Sequence, residues 1–219
     1  MSLRILIADD HEIIRYALRS LFEAEPDSDI QIVAEAENGR EAVALARQHK
    51  PDIVIMDLTM PELNGIEATR QIRQICPNAK VIVLSMHNRR QYLRELVKVG
   101  ISGYVVKTRV SNDLIEAINA ARRGQVYFSP KVAAMMADDY VGIISGQETI
   151  DGKTLSPRQK EVLQMVVEGK GTKEIAAILG VTPKAIESVR HRIMLKLGID
   201  NLADLTKYAL QEGLTTLDY

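Results

Sequence analysis

Five short apolar runs, separated by amphipathic segments, constrain this chain more than any other feature. They read RILIAD (4–9), QIVAEA (31–36), DIVIMD (52–57), KVIVLS (80–85) and GYVVK (103–107). Runs of this length bounded by turn residues suit strands covered on both faces. Between them, apolar residues recur at helical spacing: Ile13, Ile14, Ala17, Leu18, Leu21 and Phe22 in one segment, Leu114, Ile115 and Ile118 in another. Pro26, Asn38-Gly39, Pro51, Pro61, Asn64-Gly65, Pro77, Gly100 and Gly103 punctuate the alternation. Strands alternating with helices predict an α/β domain over 1–124. Its five-stranded parallel sheet is doubly wound, with helices on both faces.

After Gly124 the rhythm changes. PKVAAMMADDY (130–140) predicts a further helix, and VGIISGQETIDGKT (141–154), rich in Gly, Ser and Thr, reads as a linker. Residues 125–152 are thus a connecting segment with a short helix. From 153 to 219 the periodicity is helical only: four stripes end near Gly169, Gly180, Gly198 and the C-terminus, as in a small all-α helix-turn-helix domain.

Composition excludes some classes. With 46% hydrophobic and 26% charged residues the chain is globular rather than disordered. A net charge of -1 does not advertise nucleic acid, so such a partner has to be met by a local surface. Cys76 is the single cysteine, which rules out an intrachain disulfide and fits a reducing compartment. MSLRILIADD is too short and acidic for a signal peptide, and no apolar run approaches a membrane span. A cytoplasmic protein without membrane contact is expected.

Ligands of open parallel sheets sit beyond the carboxyl ends of the strands. With strand order 2-1-3-4-5, those ends bring together Asp9 and Asp10, Asp57, Ser85 and Lys107. Close carboxylates repel unless a cation intervenes, and a hard divalent ion such as Mg²⁺ (or Mn²⁺) takes oxygen ligands. The chemistry suggested is an acyl phosphate on one Asp, its oxygens met by the metal, Lys107 and the Ser85 hydroxyl. Singly, each residue has a plainer role: Asp10 or Ser85 as a helix cap, Lys107 as a solvated lysine. Together at matching strand ends they favour the functional reading.

Residues 3–124 resemble a flavodoxin-like receiver domain of two-component response regulators. The match rests on Asp9-Asp10, Asp57 in DLTMPELNG, Ser85, and Lys107 in GYVVK. The resemblance implies that Asp57 is the phosphoacceptor, and that Asp9, Asp10, Asp57 and the Thr59 carbonyl hold Mg²⁺. It makes Tyr104 the aromatic switch residue, otherwise read as a half-buried strand tyrosine. Thr59 and His87 stand where the family varies with dephosphorylation rate. Met86 departs from the family's usual small residue and is expected to narrow access or slow phosphoryl gain or loss.

In the C-terminal segment, a helix-turn-helix pair is predicted at about 173–179 and 183–197, with Thr182 as N-cap and Pro183 in the first turn. If Ile186, Val189, Ile193 and Leu197 face inward, Lys184, Glu187, Ser188, His191 and Arg192 face out, flanked by Arg190 and Lys196. Lys and Arg suit phosphates, while Glu187, Ser188 and His191 suit base edges. Lys173 and Thr182 join the candidate DNA contacts. The plainer reading is a helical bundle with a charged solvent face. LSPRQKEVL, EGK, KEIAAILGV and RIMLKLG resemble a LuxR-type DNA-binding domain over about 153–215, a pairing typical of the NarL/FixJ subfamily. Departures at Ala185-Ile186, Val189 and Gly171-Thr172 bear on individual contacts.

The resemblance implies a phosphorylation-dependent DNA-binding transcription regulator, not an enzyme, fed by a sensor histidine kinase. It implies double-stranded DNA as ligand, a homodimer when phosphorylated, and RNA polymerase as an allowed partner. Phosphorylation is expected to draw Ser85 to a phosphoryl oxygen, swing Tyr104 inward and change contacts around 88–124. That would release the DNA-binding domain, dimerise receivers, or both; helix 201–213 is a second candidate dimer element. The linker permits a closed or an open resting form. Rival readings are a regulator that binds DNA without phosphate, motivated by Met86, and a phosphatase-like enzyme, which would need a second acid where Thr59 stands.

Overall fold

The computed structural model describes residues 2–24, 29–86, 90–107, 110–144 and 155–215. His87 and residues 145–154 of the expected linker lie outside them. The N-terminal domain alternates β1 (Leu3–Ala8), α1 (Glu12–Glu23), β2 (Ile30–Ala36), α2 (Gly39–His49), β3 (Ile53–Asp57), α3 (Gly65–Ile75), β4 (Lys80–Ser85), α4 (Arg90–Val99), β5 (Gly103–Val106) and α5 (Val110–Arg122). All strand pairs are parallel, in the order β2-β1-β3-β4-β5, with a short strand at Tyr127–Phe128, β6, beyond β5.

Side chains alternate across a strand, so each strand feeds two cores. Ile5, Ile7, Ile53 and Ile55 pack with Leu18 and Phe22 of α1 and Leu114 and Ile118 of α5. Their neighbours Leu6, Ala8, Val54 and Met56 pack with Ala42 and Ala46 of α2 and Ala68 and Ile72 of α3. That two-sided burial explains why β3 is apolar throughout and why its polar residue comes last. Asn38 and Asn64 cap α2 and α3, accepting from the N–H groups of Glu41 and Glu67. Gly65 is required where it stands: a Cβ there would lie 1.9 Å from the Asp57 carbonyl oxygen.

The sheet has a sixth strand where five were expected. β6 (Tyr127–Phe128) pairs with Gly103 and Tyr104 of β5. Two residues carry no periodicity, so pattern reading passes over them. The helix expected at 130–140 runs further, as α6 (Pro130–Ile144), four residues into the stretch read as linker; Gly142 alone does not stop it. Val132 of α6 is buried in a cluster with Leu58, Val83, Leu93, Leu96 and Tyr104, so α6 begins as part of the first domain's packing.

The C-terminal domain comprises α7 (Pro157–Val167), α8 (Thr172–Leu179), α9 (Pro183–Leu197) and α10 (Leu202–Gln211). Ser156 and Gln159 form a capping box at α7, and Thr182 caps α9 through the Ala185 N–H. Gly180 and Gly198 end α8 and α9 at φ 63 and 69, which only glycine adopts cheaply. Val162, Leu163, Ile175, Ile186, Ile193, Leu197 and Leu205 form the core. Among the described residues, no helix is long and apolar enough to cross a membrane.

Candidate phosphorylation site and DNA-reading surface

The ends of β1, β3 and β4 and the residue after β5 meet in one crevice. Lys107 Nζ lies 2.7 Å from Asp9 Oδ2 and 3.1 Å from Asp57 Oδ1, with all three side chains nearly buried. Asp57 is 4% exposed and Ser85 is buried beside it, one strand over. Asp10 stays at the rim, where His11 Nδ1 approaches Asp10 Oδ1 at 2.8 Å. Asp9, Asp10, His11 and Asp57 each offer an atom within 4.8 Å of the others. Asp9 Oδ1 accepts from the His11 N–H. Asp9 Oδ2 is buried and meets Lys107 as a charge contact without hydrogen-bond geometry, keeping a lone pair for a cation. An oxygen-rich, net acidic cluster of this kind fits a hard divalent ion.

The charges shape one another. Burial pushes Asp57 from 3.8 up to about 7; Lys107 opposes this and repulsion from Asp9 adds to it. Burial pulls Lys107 down, but the charges of Asp57 and Asp9 beside it outweigh that and leave it above its ordinary value. Lys107 therefore remains a cation at the crevice floor. Met86 is 64% exposed, so it is not packed into the floor.

On the other domain, α9 presents Lys184, Glu187, Ser188, His191, Arg192 and Lys196 to solvent, as expected, with Lys173 and Thr182 also exposed. Ile186, Ile193 and Leu197 are buried and Val189 is half-buried against them. Arg190 is half-buried, its Nη1 donating to Thr172 Oγ1 at 3.3 Å, which ties α9 to α8.

Comparison with known proteins decides the family. Residues 5–119 match the response regulator receiver domain, and 153–209 match the bacterial regulatory proteins of the luxR family. The chain is a response regulator of the NarL/FixJ type. The oxygen regulatory protein NreC of Staphylococcus carnosus is 34% identical over 217 residues, covering 97% of this chain and 99% of that one. RcsB of Salmonella enterica serovar Typhimurium, solved on promoter rprA with the phosphomimetic BeF3⁻, is 28% identical, covers 95% of this chain and 98% of its own, and superposes with a TM-score of 0.62. A structure of two RcsB dimers bound to two parallel DNAs is 27% identical and covers 97% of this chain and 99% of its own, with a TM-score of 0.59. The chain is accordingly a receiver joined to a LuxR-type DNA-binding domain, in a family of phosphorylation-dependent transcription regulators.

Two features of the receiver depart from expectation. Tyr104 need not swing inward: it is already 1% exposed, its hydroxyl hydrogen-bonded to Ser85, and burial pushes its pKa up to about 12. Val83, Leu93, Leu96 and Val132 close around its ring. Sequence reading also missed Arg15. It is buried on α1, donates from Nη1 to the Asp9 carbonyl at 2.8 Å and pairs with Glu37 and Glu35. A charge in register with Leu18 and Phe22 on a buried helix stripe was the available signal.

The second omission joins the domains. The linker left open and closed forms equal, and the chain is docked. Arg40 of α2 pairs with Glu161, Lys160 with Glu95 of α4, and the Glu62 N–H donates to Glu168 Oε2 at 3.2 Å. Gln164, fully buried, accepts from the Asn64 N–H at 2.9 Å and donates to the Met60 carbonyl at 2.8 Å. Tyr92 closes the other end, so near Gly213 that a Cβ there would lie 1.6 Å from its hydroxyl. Docking uses α7 and the turn after α10, and the outward residues of α9 remain exposed.

Proposed function

We propose that Asp57 accepts a phosphoryl group from the phosphohistidine of a sensor kinase, and that this controls DNA binding through α9. The convergence of Asp9, Asp57 and Lys107 within about ion-pair distance carries the reading. In its charged form an Asp57 oxygen attacks phosphorus, the P–N bond breaks, and the imidazole departs with its electron pair and takes a proton from water. Lys107 meets the charge on the phosphoryl oxygens, and the Ser85 hydroxyl is the nearby donor for another. Asp9, Asp10, Asp57 and the Thr59 carbonyl would hold Mg²⁺ (or Mn²⁺), which supplies charge neutralisation during transfer. Arg15 fastens the Asp9 backbone so that the acid pair is held in place.

On this reading the receiver occupies 1–124 and the DNA-binding domain 153–219. The chain works in the cytoplasm, and two copies engage related half-sites, as the RcsB dimers on DNA suggest. Lys173, Lys184, Arg192 and Lys196 take phosphates, and Thr182, Glu187, Ser188 and His191 lie within reach of backbone or bases. A second reading has its own support. Because α9 is exposed while the domains are docked, DNA binding without phosphate is sterically open. Gel shifts on DNA selected from a random library, with and without acetyl phosphate and Mg²⁺ and beside Asp57→Ala, separate the two. Tighter binding only in phosphorylated wild type supports control by phosphate; equal affinity in all samples establishes the second reading.

A further inference from the structure

Gln164 belongs to the DNA-binding domain, yet three of its four hydrogen bonds go to the loop leaving the phosphorylation site. Its Oε1 accepts from the Asn64 N–H at 2.9 Å and from Asn64 Nδ2 at 3.2 Å. Its Nε2 donates to the Met60 carbonyl at 2.8 Å and to Glu168 Oε1 at 2.8 Å. The side chain is fully buried, and both ends of its amide are engaged. A buried amide satisfied on both sides fixes its partners in one geometry.

Those partners sit where small shifts matter. Met60 follows Thr59, so the carbonyl that Gln164 binds is the neighbour of the one assigned to the metal. Glu62, in the same loop, has φ +66, a left-handed conformation strained for a side chain with Cβ. Its N–H is held by Glu168, also of the DNA-binding domain. From the other side, the Gly65 N–H donates to the Leu58 carbonyl at 2.8 Å, and Gly65 lies against Asp57. The receiver anchors the loop at its two ends, and the DNA-binding domain anchors its middle.

We propose that Gln164 is a positioning residue for the phosphorylation site, acting from the other domain. By holding Met60 and Asn64 it sets the Thr59 carbonyl beside Asp57. Linkage makes the effect reciprocal: whatever occupies the site and moves the loop alters docking by the same factor. The inference rests on the reading of Asp57 and Thr59 as the phosphoacceptor and metal ligand.

The test uses the full chain with Gln164→Leu, which keeps bulk but removes the hydrogen bonds, and Gln164→Glu, which keeps acceptors for Asn64 but no donor for Met60. Lys160→Met is the control, since it breaks the docking pair with Glu95 without touching the loop. Mn²⁺ affinity is read by electron paramagnetic resonance, loop order by amide exchange at 58–65, and phosphorylation by acetyl phosphate on phosphate-affinity gels. Gln164→Leu is expected to weaken Mn²⁺ binding about five- to tenfold and to speed exchange at 60–64. Gln164→Glu falls between, and Lys160→Met, which leaves the loop's hydrogen bonds intact, stays within about twofold of wild type. Faster exchange with unchanged Mn²⁺ affinity overturns the proposal, as does an equal loss in Lys160→Met. If wild type takes no phosphate at Asp57, the reading of the site fails, while the Mn²⁺ and exchange results still decide whether Gln164 reaches the loop.

Discussion

The two functional surfaces treat charge in opposite ways. In the receiver crevice Asp9, Asp57 and Lys107 are nearly buried, and Lys107 lies within ion-pair distance of both carboxylates. On α9, Lys184, Glu187, His191, Arg192 and Lys196 all face solvent. Buried charges must be paired, and their geometry is fixed before any ligand arrives. Exposed ones keep their rotamers and hydration, and pair only when a polyanion displaces counterions. On the proposed reading, one surface serves chemistry at a single point and the other additive recognition along a line. The difference teaches that single substitutions should act steeply in the first and gradually in the second.

Substitutions can break this contrast. Asp57→Asn should abolish phosphorylation by acetyl phosphate, seen as loss of the phosphoprotein mass, while the fold melts cooperatively. Lys107→Ala should leave the nucleophile but slow transfer by roughly 10²–10³-fold, since it removes one fixed cation from the transferring group. A rate within tenfold of wild type would show that the crevice is less preorganised than its distances suggest. Arg15→Gln should cost roughly 2 kcal/mol in denaturant unfolding, because it leaves the buried Asp9 carbonyl without its donor. Arg192→Ala should weaken DNA binding by about 1 kcal/mol and lower the salt slope by about 1. A hundredfold loss there would mean α9 also depends on one dominant contact.

The smallest effect sharpens the comparison through pH. A carboxyl whose pKa rises on folding from 3.8 to about 7 binds its proton more tightly when folded. Without divalent metal, the receiver should therefore gain about 1 kcal/mol of stability as pH falls from ~8 to ~6. Asp57→Asn should flatten that slope, measured by chemical unfolding in chelator.

How much was legible follows from where the physical signal lies. The five strands were legible as short apolar runs, and the crevice followed from their ends once the usual doubly wound order was taken. β6 was not, since two residues have no period, and α6 outran its expected end because one glycine does not stop a helix. Asp9, Asp57, Ser85 and Lys107 stand at chain positions that topology brings together, so sequence could place them in one crevice. Arg15 and Gln164 act through partners far along the chain, Gln164 across 100 residues to Asn64. A glutamine within VLQMVV reads locally as an interruption of a stripe. Its meaning appears only once a second domain covers that face.

The end of α6 has a mechanical consequence. α6 starts packed on the Tyr104 cluster and runs to Ile144, so beyond it the covalent chain from Ile144 to Leu155 is what joins the two domains. Fully stretched, that chain spans no more than about 40 Å. A DNA-binding domain that lets go of the receiver thus stays on a short leash, at an effective concentration of about millimolar near its dock. Recapture is then fast and intramolecular, and the signal can fade as soon as the phosphoryl group is lost, without waiting for two molecules to meet.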